Sequence, residues 1–202
     1  MRLLLSLSLL FVLSACAQKP VSAPESPAEA VAPLPAEEYK GLIGKYTMGT
    51  DQYSGFYQTF QADVTILNTR VMTAVLRQRG AFLQWDTREY QREREKFLQE
   101  ASAYSKFFLR FFSPEREYAD LHKGKSIWKV YLEVGGSRFE GKVRKMDQKL
   151  VELQTLFPHV DRFSVAYEVT FNVPMTTVER SPSKVVLTSS LGAAEFKFPA
   201  SE

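Results

Sequence analysis

Phe60, Ala62, Val64 and Ile66 stand on even positions while Gln61, Asp63 and Thr65 fill the odd ones between them. This alternation, which Phe56 extends backwards, predicts a strand with one buried face. Before it, residues 41–47 read as a first short strand, followed by a turn-rich connection over residues 49–55. After it, Asn68 and Thr69 are placed to cap a short helix through Val71, Met72, Val75 and Leu76 to about residue 79. Val71, Thr73 and Val75 also alternate, so a continued strand is the competing assignment. Asp86-Thr87-Arg88-Glu89 has the form of a capping box. Behind it Tyr90, Phe97, Leu98, Ala101 and Tyr104 recur at helical spacing, predicting an amphipathic helix over about residues 86–104.

From residue 107 onward the pattern is that of strands. The aromatic run Phe107-Phe108-Leu109-Arg110-Phe111-Phe112 ends at Ser113-Pro114. Short alternating segments follow at about 127–134, 137–144, 150–153, 163–173, 184–188 and 194–198. Gly135-Gly136 predicts a two-residue hairpin turn. Counting back from it sets Val134 against Ser137, Leu132 against Phe139, Val130 against Gly141 and Trp128 against Val143 on a core face. The other face sets Glu133 against Arg138, Tyr131 against Glu140, Lys129 against Lys142 and Ile127 against Arg144. Two cations facing each other, as at Lys129 and Lys142, are mildly destabilising. An anionic ligand would relieve that repulsion, which makes Lys129, Arg138, Lys142 and Arg144 a candidate binding face, with Lys123, Lys125 and Lys145 nearby. The plainer reading is a solvated face with splayed lysines.

Trp128 on one strand and Tyr167 near the start of a later one resemble the core tryptophan and corner tyrosine of immunoglobulin-like domains. The resemblance implies a mainly β chain folded as an antiparallel sandwich, with the helix near 86–104 and the shorter one near 69–79 added. The cysteine pair of that family is missing, and Val169 stands where its second cysteine would fall.

The N-terminus changes the picture. Met1 and Arg2 precede an apolar run over residues 3–13, and Leu13-Ser14-Ala15-Cys16 closes it. The run is shorter than the roughly 20 residues a membrane span needs, and it has the form of a signal peptide. Leu13-Ser14-Ala15-Cys16 resembles the lipobox of bacterial lipoproteins. That resemblance implies cleavage before Cys16, a lipid on its sulfur, and a mature protein held to a membrane. Ala17 carries none of the inner-membrane retention signal that an aspartate there supplies in the enterobacterial members, so the resemblance implies the outer membrane, facing the periplasm. The competing reading is an ordinary secretory signal cut near Ala15 or Ala17.

Residues 16–38 then hold five prolines among alanine, serine and glutamate, a composition that forms no core and favours extended conformations. In polyproline geometry about twenty such residues reach roughly 60 Å. The chain therefore divides into a signal (1–15), a lipidated tether (16–38) and one mainly β domain (39–202). With Cys16 the only cysteine and committed to lipid, no intrachain disulfide forms, and stability falls to the packed core.

A net charge of +3 over 202 residues argues against a dedicated nucleic-acid binder. The two histidines, His122 and His159, lie in no metal-ligand spacing and read as loop residues. No nucleophile elbow, phosphate loop or dinucleotide fingerprint is present, and no cofactor is implied. Carboxylates such as Glu133, Glu140, Asp161 and Glu168 are plentiful but carry no separation that defines a catalytic pair. The expectation is a non-catalytic binding or adaptor subunit of the envelope, anchored by Cys16 and docked on an envelope protein. An anionic glycan or lipid on the basic hairpin face is the alternative, and an envelope hydrolase stands third.

Overall fold

The computed structural model describes residues 31–200. The signal segment, Cys16 and the tether as far as residue 30 lie outside the described residues. Helix α1 (Ala36–Lys45) opens the described chain and leads into strands β1 (Thr47–Ser54) and β2 (Tyr57–Ile66). Helices α2 (Thr69–Leu83) and α3 (Thr87–Ala101) follow, then β3 (Ser105–Phe112), β4 (Lys129–Val134), β5 (Ser137–Glu140) and β6 (Lys142–Lys145). Helix α4 (Leu150–Leu156), β7 (Val165–Phe171), α5 (Met175–Arg180), β8 (Ser183–Ser189) and β9 (Gly192–Phe198) complete it. Among the described residues the nine strands form two antiparallel sheets, ordered β1-β2-β3-β7-β6 and β5-β4-β8-β9.

Alternation along the strands builds the core. Phe60, Ala62, Val64 and Ile66 of β2, Phe107, Leu109 and Phe111 of β3, and Tyr167, Val169 and Phe171 of β7 point one way from the larger sheet. They meet Val130, Leu132 and Val134 of β4, with Val185, Leu187, Phe196 and Phe198 from β8 and β9, in one continuous cluster. Trp128 packs edge-on against Phe60 and Phe111, with ring centroids 4.9 Å apart in each pair. The opposite face of the larger sheet is covered by α1, α2 and α4: Phe108 and Ala166 pack among Tyr39, Ile43, Val71, Val75, Leu153 and Leu156. Helix α3 leans on α2 through Phe97, Leu76 and Trp85.

Several local expectations are met. Asn68 caps α2, its side chain accepting from the Val71 N–H at 2.9 Å, so the segment after β2 is helix and runs to Leu83. Asp86 caps α3 by accepting from the Glu89 N–H at 2.7 Å, while the Glu89 carboxylate takes Arg92 at 3.0 Å. The Gly135-Gly136 turn pairs Val134 with Ser137 and Leu132 with Phe139. No described helix is long and apolar enough to cross a membrane.

Other expectations are corrected. Residues 41–45 are helix and not strand: Tyr39 and Ile43, four apart, bury the same side of α1, which begins at Ala36. Strand β1 starts at Thr47 and takes up most of the expected 49–55 connection. Residues 150–153 belong to α4, where Leu153 and Leu156 face the core. Lys129 does not face Lys142. The hairpin register holds only as far as Tyr131 and Glu140; at Gly141 the chain leaves the smaller sheet, and β6 pairs instead with β7 of the larger one. Lys142 lies opposite Thr170, and Lys129 lies opposite Thr188 of β8.

The tyrosine also differs from the immunoglobulin corner. The Tyr167 hydroxyl donates to the Ala119 carbonyl at 2.6 Å, 48 residues upstream instead of a few. The Trp128 indole donates to the neighbouring Tyr118 carbonyl at 2.7 Å, so the two rings together fasten the loop that precedes β4.

Candidate functional site

The four cations of the expected binding face are distributed over both sheets, and three have acidic partners. Lys129 Nζ lies 2.7 Å from Glu140, whose hydrogen bond raises the lysine's pKa. Arg138 sits over the Tyr131 ring at 4.0 Å and reaches Glu133 at 3.8 Å. Arg144 bonds Glu168 at 3.2 Å across β6 and β7. Lys142, on β6, is exposed. Solvent screens these surface pairs, so each adds little to stability, but together they offset part of the positive field the hairpin was expected to present.

A second polar group is brought together by β2, β3 and the loop before β7. Arg110 is 5% exposed, a buried cation in an aromatic strand. Its Nη1 donates to Asp63 at 2.8 Å and its Nη2 to Asp161. The other oxygen of Asp161 accepts from the Phe163 and Ser164 N–H groups at 2.7 and 2.9 Å, an Asx-type turn that fixes the loop. Burial pushes the Asp161 carboxyl up, yet the bonds from Arg110 and the two N–H groups outweigh it and hold it below the usual carboxylate value. His159 borders the cluster, with its Nε2 buried and unpartnered among the described residues and its ring edge-on to Phe108. Burial lowers its pKa, with Asp63 opposing the shift and Arg110 adding to it.

Chemically this is a clamp. The guanidinium is held between two carboxylates, from β2 and from the loop before β7. Among the described residues no group of three or more metal-binding side chains comes together. His122 lies apart, beside the Tyr167 ring. The signal for the cluster was in the sequence: a lone arginine inside Phe-Phe-Leu-Arg-Phe-Phe must be paired if its strand is central.

The clamp predicts a pH response. His159 binds a proton in the unfolded chain near pH 6.5 but resists it when folded, so the unfolded state holds more protons and stability falls as the pH drops below about 6.5. Asp161, depressed in the fold, adds a second loss below about pH 4, where the unfolded carboxyl would protonate first. Urea midpoints between pH 7.5 and 5 should fall for the wild type and stay flatter for His159→Gln; parallel curves would assign the loss elsewhere.

The third feature is a ribbon. β3 pairs with β2 only as far as Gln61, so the β1–β2 hairpin runs on beyond its neighbour without a third strand. Ser54 pairs with Tyr57 across a turn in which Gly55 takes the first central position with φ +62°, the geometry a type II′ hairpin requires. A bulge lies between the Gln52–Phe60 and Tyr53–Gln58 pairs, and there the Thr59 hydroxyl donates to the Gln52 carbonyl at 3.1 Å. Tyr53 is 60% exposed, Phe56 fully exposed and Tyr57 82%. Three largely exposed aromatic side chains thus cluster at the end of one hairpin.

No family model matches this chain, nor does any curated protein or solved structure. Function therefore rests on the chemistry of these sites. A groove of about 280 Å³ between α2, α3 and β7 adds one more, with Met72, Leu76, Phe97 and Phe157 in its walls. Lys106 with Glu100 at 2.7 Å and Arg144 with Glu168 stand at its rim as closed ion pairs.

Sequence reasoning used Phe56 only to start the strand and passed over Tyr53 and Tyr57. The signal it lacked was the length of β3, which decides how far the hairpin outruns the sheet.

Proposed function

We propose that this is a lipid-anchored envelope lipoprotein whose β-rich domain is a non-catalytic binding or adaptor subunit, with the β1–β2 ribbon as its contact element. The observation that carries the reading is the aromatic tip: Tyr53, Phe56 and Tyr57 are together turned to solvent on one hairpin, while Phe82, Tyr104 and Phe163 are the other exposed aromatics among the described residues. Aromatic side chains presented in this way are the usual anchors of recognition surfaces. The anchor at Cys16 and the proline-rich segment behind it would carry the domain away from the membrane that holds it, and the outer membrane, on its periplasmic side, is the proposed location. Architecturally the proposal includes a sandwich, supported by the core the two sheets share. Its immunoglobulin likeness rests on Trp128 and Tyr167 alone.

Cys16→Ala should move the protein from the membrane pellet to the soluble fraction; unchanged retention would remove the anchor. For the ribbon, a photo-reactive phenylalanine at position 56 of the full chain in native membranes should give adducts that the same group at exposed Phe163 does not. Converting Tyr53 and Tyr57 to serine should reduce those adducts about tenfold or more. Because both positions are solvent-exposed, stability should change by less than about 0.5 kcal/mol for each. Equal labelling from positions 56 and 163 would refute the ribbon as contact element.

A further inference from the structure

We infer that the surface the ribbon contacts is the interface of a phospholipid bilayer, into which the tip inserts as a wedge. The inference deepens the binding reading above and rests on the ribbon being the contact element.

Geometry is the first support. Tyr53 and Tyr57 belong to successive cross-strand pairs, so their side chains leave opposite faces of the ribbon, while Phe56 stands at the apex. A flat protein surface would engage one face and leave the other aromatic in water. A medium that surrounds the tip satisfies all three together. Phe60 is buried in the core and the Thr59 carbonyl accepts from the Ser113 hydroxyl. The free part of the ribbon is therefore about two residues, or roughly 7 Å, within the 5–10 Å at which interfacial elements lie.

Charge is the second. Residues 52–62 contain no ionisable acid or base other than the two tyrosine hydroxyls. Insertion therefore moves no full charge into a medium where each would cost several kcal/mol. Asp51, just behind the tip, is engaged by Gln58 Nε2 at 3.0 Å. Tyrosine and phenylalanine suit this depth, the phenol remaining at headgroup level while the ring enters the acyl boundary.

Backbone chemistry is the third. A segment entering lipid must satisfy its own polar groups. Here cross-strand pairing continues to Ser54 and Tyr57, and at the bulge the Gln52 carbonyl takes the Thr59 hydroxyl. Since the tip bears no cation, insertion does not depend on anionic lipid, which separates it from attraction through Lys129, Lys142 or their neighbours.

The test uses the full lipidated chain reconstituted in phosphatidylcholine vesicles with brominated acyl chains, carrying Phe56→Trp or, as control, Phe163→Trp. Trp85 and Trp128 are buried and supply a constant background. The position-56 tryptophan should be quenched at least about twofold more than the position-163 tryptophan, equally with and without phosphatidylglycerol. Equal quenching at the two positions overturns the inference. So does quenching that requires phosphatidylglycerol, which would assign the contact to surface cations, and so do adducts from position 56 that contain protein and no lipid. Flotation of the same samples reports the anchor separately. A chain that floats unquenched at position 56 removes the wedge and keeps the anchor. A Cys16→Ala chain that still floats and is quenched at position 56 shows the wedge binding the bilayer without the anchor.

Discussion

Arg110→Ala is expected to lower the unfolding free energy of the domain by about 3–5 kcal/mol, the range in which breaking a buried ion pair from one side falls. The guanidinium is 6% exposed, and its partners Asp63 and Asp161 are 20% and 42% exposed. Alanine leaves two carboxylates facing a space that no cation fills, one of them in contact with the sheet interior. It also removes the aliphatic stem that packs on the helix-facing side of β3. The consequence should reach the Asp161 carboxyl, whose pKa must rise once its largest favourable partner is gone. A urea titration gives the stability change, and carbon NMR of the aspartate carboxyl gives the pKa. A loss below about 1 kcal/mol would place the cluster with exposed ion pairs instead.

The decisive companion is the combination Asp63→Asn, Arg110→Met and Asp161→Asn. Methionine refills the stem volume, and asparagine at position 161 keeps the oxygen that accepts from Phe163 and Ser164. If the clamp serves only stability, this neutral version should recover most of the loss, because removing all the charges also removes the desolvation penalty. Gly49 fits the same picture. A Cβ there would come within 2.3 Å of the Asp63 carboxylate, so the glycine leaves room for the acid that the clamp holds.

What the sequence discloses depends on the range of the interaction that decides each element. Asn68 and Asp86 act on donors three residues away, so their helices carried a local signal, although the alternation of Val71, Thr73 and Val75 left a strand open for the first. β7 was legible because its alternation runs through Tyr167, Val169 and Phe171 without interruption. Helix α1 was missed because Gly41 and Gly44 gave it a turn-like composition, although Tyr39 and Ile43 carry the four-residue spacing that its packing obeys. In the same way Leu153 and Leu156 set α4, while Leu150 and Val151 are exposed and lent the segment an apolar look suited to a strand. Pro174, just past the expected 163–173 segment, opens α5, since a proline at a helix start gives up no intrahelical bond.

The candidate sites lie at the other extreme. The clamp joins residues 47 and 51 positions apart in sequence. The ribbon's exposure depends on where a strand from another part of the chain stops pairing. Neither is a local property. The pairing of Lys129 with Lys142 failed for a related reason: its register was extrapolated through a residue at which the chain changes sheets.

That residue carries the second large effect. Gly141→Ala should destabilise the domain by about 1–3 kcal/mol, as overpacking of a filled core does, with Gly141→Val worse. The Gly141 N–H donates to the Val130 carbonyl of the smaller sheet at 2.8 Å, while the next residue already pairs with Thr170 of the larger one. A Cβ at position 141 would lie 2.7 Å from Val169 Cγ1 and 2.8 Å from Phe171 Cε1, both on buried side chains. Val169 is β-branched and stiff at χ1, and Phe171 is packed edge-on against Phe107, so neither can easily retreat. The backbone would have to move, straining its bond to β4 or to β7. Gly124→Ala is the matched control, because a Cβ there meets nothing within 4 Å. Denaturation midpoints of the two variants should separate clearly, and Val169→Ala should restore part of the loss when combined with Gly141→Ala. Equal midpoints for the two glycine variants would mean that the crossing between sheets tolerates a side chain, and that the register change at Gly141 has another cause.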